Sequence, residues 1–130
     1  GLEHKVFLRG SVAYTTMLRR FADADVLAQT SVGFETQGMT VYEAAAVGTP
    51  SILCDHNIAG EFATDVHWTV RDESVEALAE SIAKAVADIK AGDNRGERLK
   101  NEDHLLQTGA TAKMLKYYAS VIEAHKAKSY

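Results

Sequence analysis

Two carboxylates, Glu35 and Glu43, stand with seven residues between them, and Gly38 lies in that interval. If a helix opens at Gly38, its first N–H groups have no internal partner, and its dipole draws anions to that end. Glycine lets a ligand approach the backbone closely. Such a place suits a phosphate. The carboxylates suit hydroxyls, because ionised carboxylates only accept hydrogen bonds and repel phosphate. Backbone donors beside two hydroxyl-seeking acids therefore fit a phosphorylated sugar or a nucleotide-sugar. On spacing alone a plainer reading stays open. Acids are common at helix starts, so Glu35 would cap the helix and Glu43 would be a solvated helix residue.

The flanking residues must hold these groups in place. Val26, Leu27 and Ala28 form an apolar run that enters a loop from Thr30 to Gln37. Gly38 opens an alanine-rich helix, Gly48-Thr49-Pro50 closes it, and Ile52–Cys54 forms a second apolar run. The order is strand, loop, helix, strand. Upstream, Lys5–Arg9 reads as a strand, Gly10-Ser11 as a turn, and Thr15 or Thr16 as the cap of a helix with Met17, Leu18 and Phe21 on one face. Downstream, Asp55–Gly60 reads as a loop, Glu61–Ala63 as one helical turn and Val66–Val70 as a strand holding Trp68 in the core. Val75, Leu78, Ala79, Ile82, Val86 and Ile89 recur at helical spacing behind a cap at Asp72 or Ser74. A helix near Glu97–Gln107 is expected, with a break at Thr108-Gly109 and a terminal helix over Thr111–Ala127. Short apolar strands alternating with helices predict an α/β fold. Its parallel sheet, of about four strands, is covered on both faces. Ligands of such sheets bind beyond the carboxyl ends of the strands, where Thr30–Gly38 falls.

At 130 residues the chain reads as a single domain spanning 1–130. Hydrophobic residues make up 46%, enough for a packed core. The net charge is -4 and the basic residues are scattered, which argues against a nucleic-acid partner. Cys54 is the lone cysteine, so it reads as an inert thiol beside a buried strand in a reducing compartment. No apolar run approaches the ~20 residues that span a bilayer, and no signal peptide is read. The five histidines show no metal-ligand spacing; of them only His56 falls near the expected pocket. Tyr14 reads equally as facing the ligand or covering the sheet.

Ala24-Asp25-Val26, Thr30-Ser31, the run Glu35–Ala44 and Gly48-Thr49-Pro50, taken together, resemble family 4 of the retaining glycosyltransferases, which have the GT-B fold. Val6–Val12 is similar to that family's V-x-F-x-G-x-V segment, and the helices at Val75–Ile89 and near Tyr117-Tyr118 lie where the family has them. The resemblance implies the C-terminal half of a donor-binding domain, a partial Rossmann-like sheet. It implies that the backbone of Gly38, Met39 and Thr40 holds the donor diphosphate. Glu43 accepts from the ribose hydroxyls. Glu35 accepts from the transferred sugar and faces the reacting carbon. Gly10, Ser11 and Val12 line the base pocket, and Gly60-Glu61 matches a loop that approaches the sugar.

The implied activity is transfer of a hexose, with retention, from a nucleotide diphosphate sugar to a sugar or lipid acceptor. It involves no metal and no further cofactor. The alternatives are a non-catalytic nucleotide-sugar-binding or assembly module and a GT-B-type epimerase or phosphorylase. The resemblance also implies a cytoplasmic protein, at the inner face of the membrane if an acceptor domain makes peripheral contact. Family members carry an Arg and a Lys that neutralise the diphosphate, and Arg9, Arg19 and Arg20 do not match them. The chain therefore reads as a fragment that binds donor weakly and does not turn over alone. Its Lys5–Arg9 strand would lie at an open apolar edge and invite self-association.

Overall fold

The protein, a computed structural model, is described at residue 1 and over residues 3–33, 38–100 and 107–127. Its elements are α1 (Tyr14–Ala22), β1 (Leu27–Gln29), α2 (Met39–Ala46), β2 (Ser51–Leu53), α3 (His56–Ala59), β3 (His67–Thr69), α4 (Val75–Lys90), α5 (Arg95–Lys100) and α6 (Gln107–Ala127). The three strands form one parallel sheet in the order β1-β2-β3. This is a partial Rossmann-like α/β fold.

All three residues of the central strand β2 are buried, so it has no solvent face. Their side chains alternate between two cores. Leu53 joins Val41 and Ala45 of α2, Ile58 and Ala59 of α3, Phe62, Val66 and Leu99. Ile52 joins Trp68, Val70, and Ala77 and Ala85 of α4. That division explains the uninterrupted apolar runs in the sequence, because a parallel strand covered on both sides needs no polar alternation. Trp68 lies in the second core at 4% exposure. Its indole N–H donates to Asp88 Oδ2 at 2.8 Å, and the Arg95 guanidinium covers its ring at 4.1 Å.

The ends of the elements follow local chemistry. Ser74 caps α4 by accepting from the Ala77 N–H at 3.1 Å. Gly48 takes a φ of +86° just beyond α2, a left-handed conformation that glycine adopts without strain. Thr49 then fastens the turn by donating from Oγ1 to the Phe21 carbonyl at 2.6 Å, joining the end of α1 to the end of α2.

Several expectations are corrected. Lys5–Arg9 is not a strand. Residues 3–5 turn, and residues 6–10 carry no regular structure. Val6, Phe7 and Leu8 are exposed at 58%, 62% and 96%. A strand requires a neighbour to satisfy its backbone, and no described residue supplies one there. The described sheet accordingly has three strands, not four. The span Asp55–Gly60 contains α3 and is not an open loop, whereas the turn foreseen at Glu61–Ala63 is not helical. Helix α1 begins at Tyr14 behind Ala13 with no side-chain cap, so neither Thr15 nor Thr16 caps it. The helix expected over Glu97–Gln107 is described as α5, ending at Lys100, and residues 101–106 lie outside the described residues. The terminal helix starts at Gln107, so Gly109 is inside α6 and does not break it.

Candidate functional site

Helix α2 starts where the sequence suggested. Gly38 is buried and adopts the left-handed conformation, φ +53° and ψ +41°, immediately before Met39. Among the described residues no side chain caps this end, and no acid stands in its first turn. The Val41 N–H turns back to the Gly38 carbonyl at 2.7 Å. Among the described residues the N–H groups of Gly38, Met39 and Thr40 meet no acceptor. Three donors with no acceptor among the described residues, at a positive helix end, make a candidate anion site. Glycine is needed at 38 for a second reason. A Cβ there would lie 2.9 Å from Ile58 Cδ1, so α3 packs directly against the start of α2.

Glu43 lies on α2, five residues on from Gly38, and is half-buried. The Tyr14 phenol faces it. A hydrogen bond to the Glu43 carboxylate, then burial, raises the pKa of Tyr14. Tyr14 thus reaches towards α2. It also brings the chain just after Gly10, Ser11 and Val12 alongside Glu43. All three of those residues are exposed, and Gly10 has a φ of +60°. Met39 is 57% exposed and Thr40 is half-buried. Glu35 lies outside the described residues. The structure therefore groups Gly38, Met39, Thr40 and Glu43 at one helix, with Tyr14 at its flank.

A cleft of about 370 Å³ opens nearby, beyond the carboxyl ends of all three strands. Its walls include Gly33 after β1, Asp55 and His56 after β2, and Arg71 and Asp72 after β3. Gly38, Met39, Thr40 and Glu43 do not line it. His56, singled out as near the pocket, does line it, and its Nε2 donates to the Val70 carbonyl at 2.8 Å. Cys54 also lies here, half-buried, and burial raises its thiol pKa. Asp72 is held down to about 2 by hydrogen bonds from the Ser74 hydroxyl and N–H and from Arg71. Among the described residues no group of histidine, cysteine or acidic side chains is arranged to hold a metal ion.

Two contacts were missed in the sequence. Asp55 is 4% exposed and accepts three backbone N–H groups: Gly33 at 2.9 Å on Oδ2, and Asn57 and Ile58 at 2.8 and 3.3 Å on Oδ1. These bonds lower its pKa, the bond from Gly33 most of all. Tyr42, one residue before Glu43, donates its hydroxyl to Glu61 and packs against Phe62 with ring centroids 4.8 Å apart. Burial, then that bond, pushes its phenol up to about 12. The Asp55 cap was foreshadowed by an acid standing just before a short stretch that ends in glycine. Nothing local signals the Tyr42–Glu61 pair, whose members are 19 residues apart.

No curated protein and no solved structure matches the chain. Residues 1–104 match a family described as "Glycosyl transferases group 1". The match covers most of the chain and includes α2, its open amides and the cleft, so this protein belongs to the group 1 glycosyltransferases.

Proposed function

We propose that the chain is the donor-binding part of a retaining transferase of family 4, the C-terminal half of a GT-B donor domain. It takes a hexose on a nucleotide diphosphate and passes it to a sugar or lipid acceptor. The observation that carries this reading is the start of α2, where three amides with no acceptor among the described residues share a helix with Glu43 at the ligand-binding edge of the sheet. The amides of Gly38, Met39 and Thr40 take the diphosphate, and Glu43 takes the ribose hydroxyls. Gly10, Ser11 and Val12 line the base, and Glu35 faces the sugar. The interaction of Tyr14, two residues beyond Val12, with Glu43 supports this arrangement.

Under this reading the diphosphate is held by backbone dipoles and requires no metal. Retention would place developing charge on the leaving diphosphate, where preorganised N–H donors are most effective. The domain works on the cytoplasmic side, with any membrane contact made through an acceptor domain.

Titration with uridine and guanosine diphosphates in the presence of a chelator tests the reading. Glu43→Ala removes a charged acceptor worth about 1.5–3 kcal/mol. Affinity should therefore fall about 10- to 100-fold. Undiminished binding by the variant would remove Glu43 from the ribose. A wild-type chain that stays free at millimolar nucleotide would refute the donor site.

A further inference from the structure

We propose that the cleft beyond the strand ends is an acceptor subsite that holds an uncharged sugar ring. The inference rests on the transferase reading above, which requires a second substrate beside the donor.

The size and place of the cleft fit that role. Its volume of about 370 Å³ lies at the lower end of ligand clefts, which suits a single ring better than a whole nucleotide-sugar. It opens past the carboxyl ends of the strands, where parallel sheets receive their ligands. It adjoins the proposed donor site without belonging to it. Asn57 stands on its wall, and the next residue, Ile58, packs against Gly38 at the start of α2. None of Gly38, Met39, Thr40 and Glu43 lines it. A molecule held here would therefore lie beside the donor, as transfer between two substrates requires.

The lining offers both kinds of surface that a sugar presents. Its half-buried part, Val32 and Cys54, is apolar and suits the C–H groups of a ring. Its exposed part is polar, and some of that polarity is taken up within the fold. Asp72 accepts from Ser74 and Arg71, and His56 Nε2 donates to the Val70 carbonyl. The buried Asp55 accepts from Gly33, Asn57 and Ile58. Among the described residues the Asn57 side-chain amide and the Glu73 carboxylate have no hydrogen-bond partner, and both are exposed. Between them they donate to and accept from hydroxyls.

Charge selects the kind of sugar. Asp55, Asp72 and Glu73 face a lone guanidinium, that of Arg71, which is itself held by Asp72 and Glu80. The Gly33 N–H is already given to Asp55. A phosphate would meet surplus negative charge here, whereas the start of α2 draws it. The two places thus divide the substrates: the anionic donor on α2, an uncharged acceptor ring in the cleft.

Amide spectra of the 130-residue chain test this with methyl α-glucoside and methyl α-mannoside as neutral probes. Glucose 1-phosphate serves as the charged probe, and uridine diphosphate and uridine diphosphate glucose represent the donor. Cys54 is the lone cysteine, so its alkylation rate gives a second reading within the cleft. The neutral probes should move the Gly33, Asn57 and Glu73 amides saturably and slow the alkylation of Cys54, and should do so equally with uridine diphosphate present. Glucose 1-phosphate should bind about fivefold more weakly, the effect of a like charge a few ångströms away in water. Asn57→Ala should weaken the neutral probes at least threefold without lowering the unfolding midpoint. Glu73→Gln should narrow the gap between neutral and charged probes.

Glycosides that leave those amides and the Cys54 rate unchanged overturn the subsite, and uridine diphosphate bound at α2 in the same sample would leave the donor site standing. A charged probe that binds as well as the neutral ones also overturns it. Cleft amides that move with uridine diphosphate glucose but not with uridine diphosphate would give the cleft to the donor and overturn its assignment to the acceptor. Glycosides that bind in the cleft while no nucleotide binds at α2 would uphold the sugar subsite and refute the donor reading.

Discussion

His67 shows how burial decides chemistry at a single residue. It lies on β3 at 6% exposure, between the Ala63 carbonyl and the Thr69 hydroxyl, each at 3.0 Å. A carbonyl can only accept, so Nδ1 carries the proton, and Nε2 accepts from Thr69. The neutral ring satisfies both partners without placing a charge in the core. Burial lowers its pKa, the Arg95 charge adds to this, and the Ala63 bond and Asp65 oppose it. The folded value thus lies below the unfolded one, near 6.5. Between the two the unfolded chain binds more protons. The contribution of His67 to stability is therefore complete above about pH 6.5 and is lost as the pH falls towards the lower folded value. Urea unfolding should show lower stability at pH 5 than at pH 7, and His67→Gln should flatten that slope. Equal slopes in variant and wild type would show that the ring is not what titrates. Little of this was legible beforehand. The sequence placed His67 on a strand with Trp68 in the core, but the Ala63 and Arg95 partners come from elsewhere in the chain.

At the scale of elements, α5 shows where legibility ended. A helix after the glycine-containing connector was readable from Glu97 on, yet its seat was not. The structure lays α5 across the turn that ends α2. A Cβ on Gly96 would stand 2.4 Å from the Gly48 carbonyl oxygen, and Leu99 plugs the core beneath at 4% exposure. Gly48 and Gly96 thus form a close backbone crossing between distant parts of the chain. Gly96→Ala should force α5 away from α2 and withdraw Leu99, costing about 1–3 kcal/mol. Chemical denaturation reads this directly; a variant as stable as wild type would mean that α5 is not seated as described. By contrast, the strands β1 and β2, helix α2 and the Ser74 cap were readable, because apolar runs, a Gly start and an N-cap serine are local signals. The strand at Lys5–Arg9 was misread for the complementary reason. Its residues have the composition of a strand, but a strand exists only with a partner, and composition does not report one. The candidate site divides the same way. The start of α2 at Gly38 and the place of Glu43 on that helix were visible as a motif. The brackets that Asp55 and Tyr42 make to α3 were not, because each joins residues about 20 apart.

At the scale of the whole molecule, the surface is uneven. The cores on the two faces of the sheet are closed, and among the described residues no buried side-chain polar atom lacks a partner. Apolar surface remains elsewhere. Val6, Phe7 and Leu8 stand out from residues 6–8, and Met114, Leu115, Tyr118, Val121 and Ile122 are each about half exposed on α6. Among the described residues the sheet ends at β1, which pairs with β2. Both apolar surfaces favour association between chains. The net charge of -4 opposes it only weakly once salt screens repulsion over about 8–10 Å. The chain should therefore sediment with a mass that rises with concentration in physiological salt. Replacing Phe7 and Leu8 with lysine should return it towards monomer without lowering the unfolding midpoint, since neither side chain belongs to a core. If the double variant associates as strongly as wild type, the contact lies on α6, and lysine at Leu115 and Ile122 should dissolve it. A wild-type chain that remains monomeric near millimolar concentration would show that these surfaces do not pair chains at all.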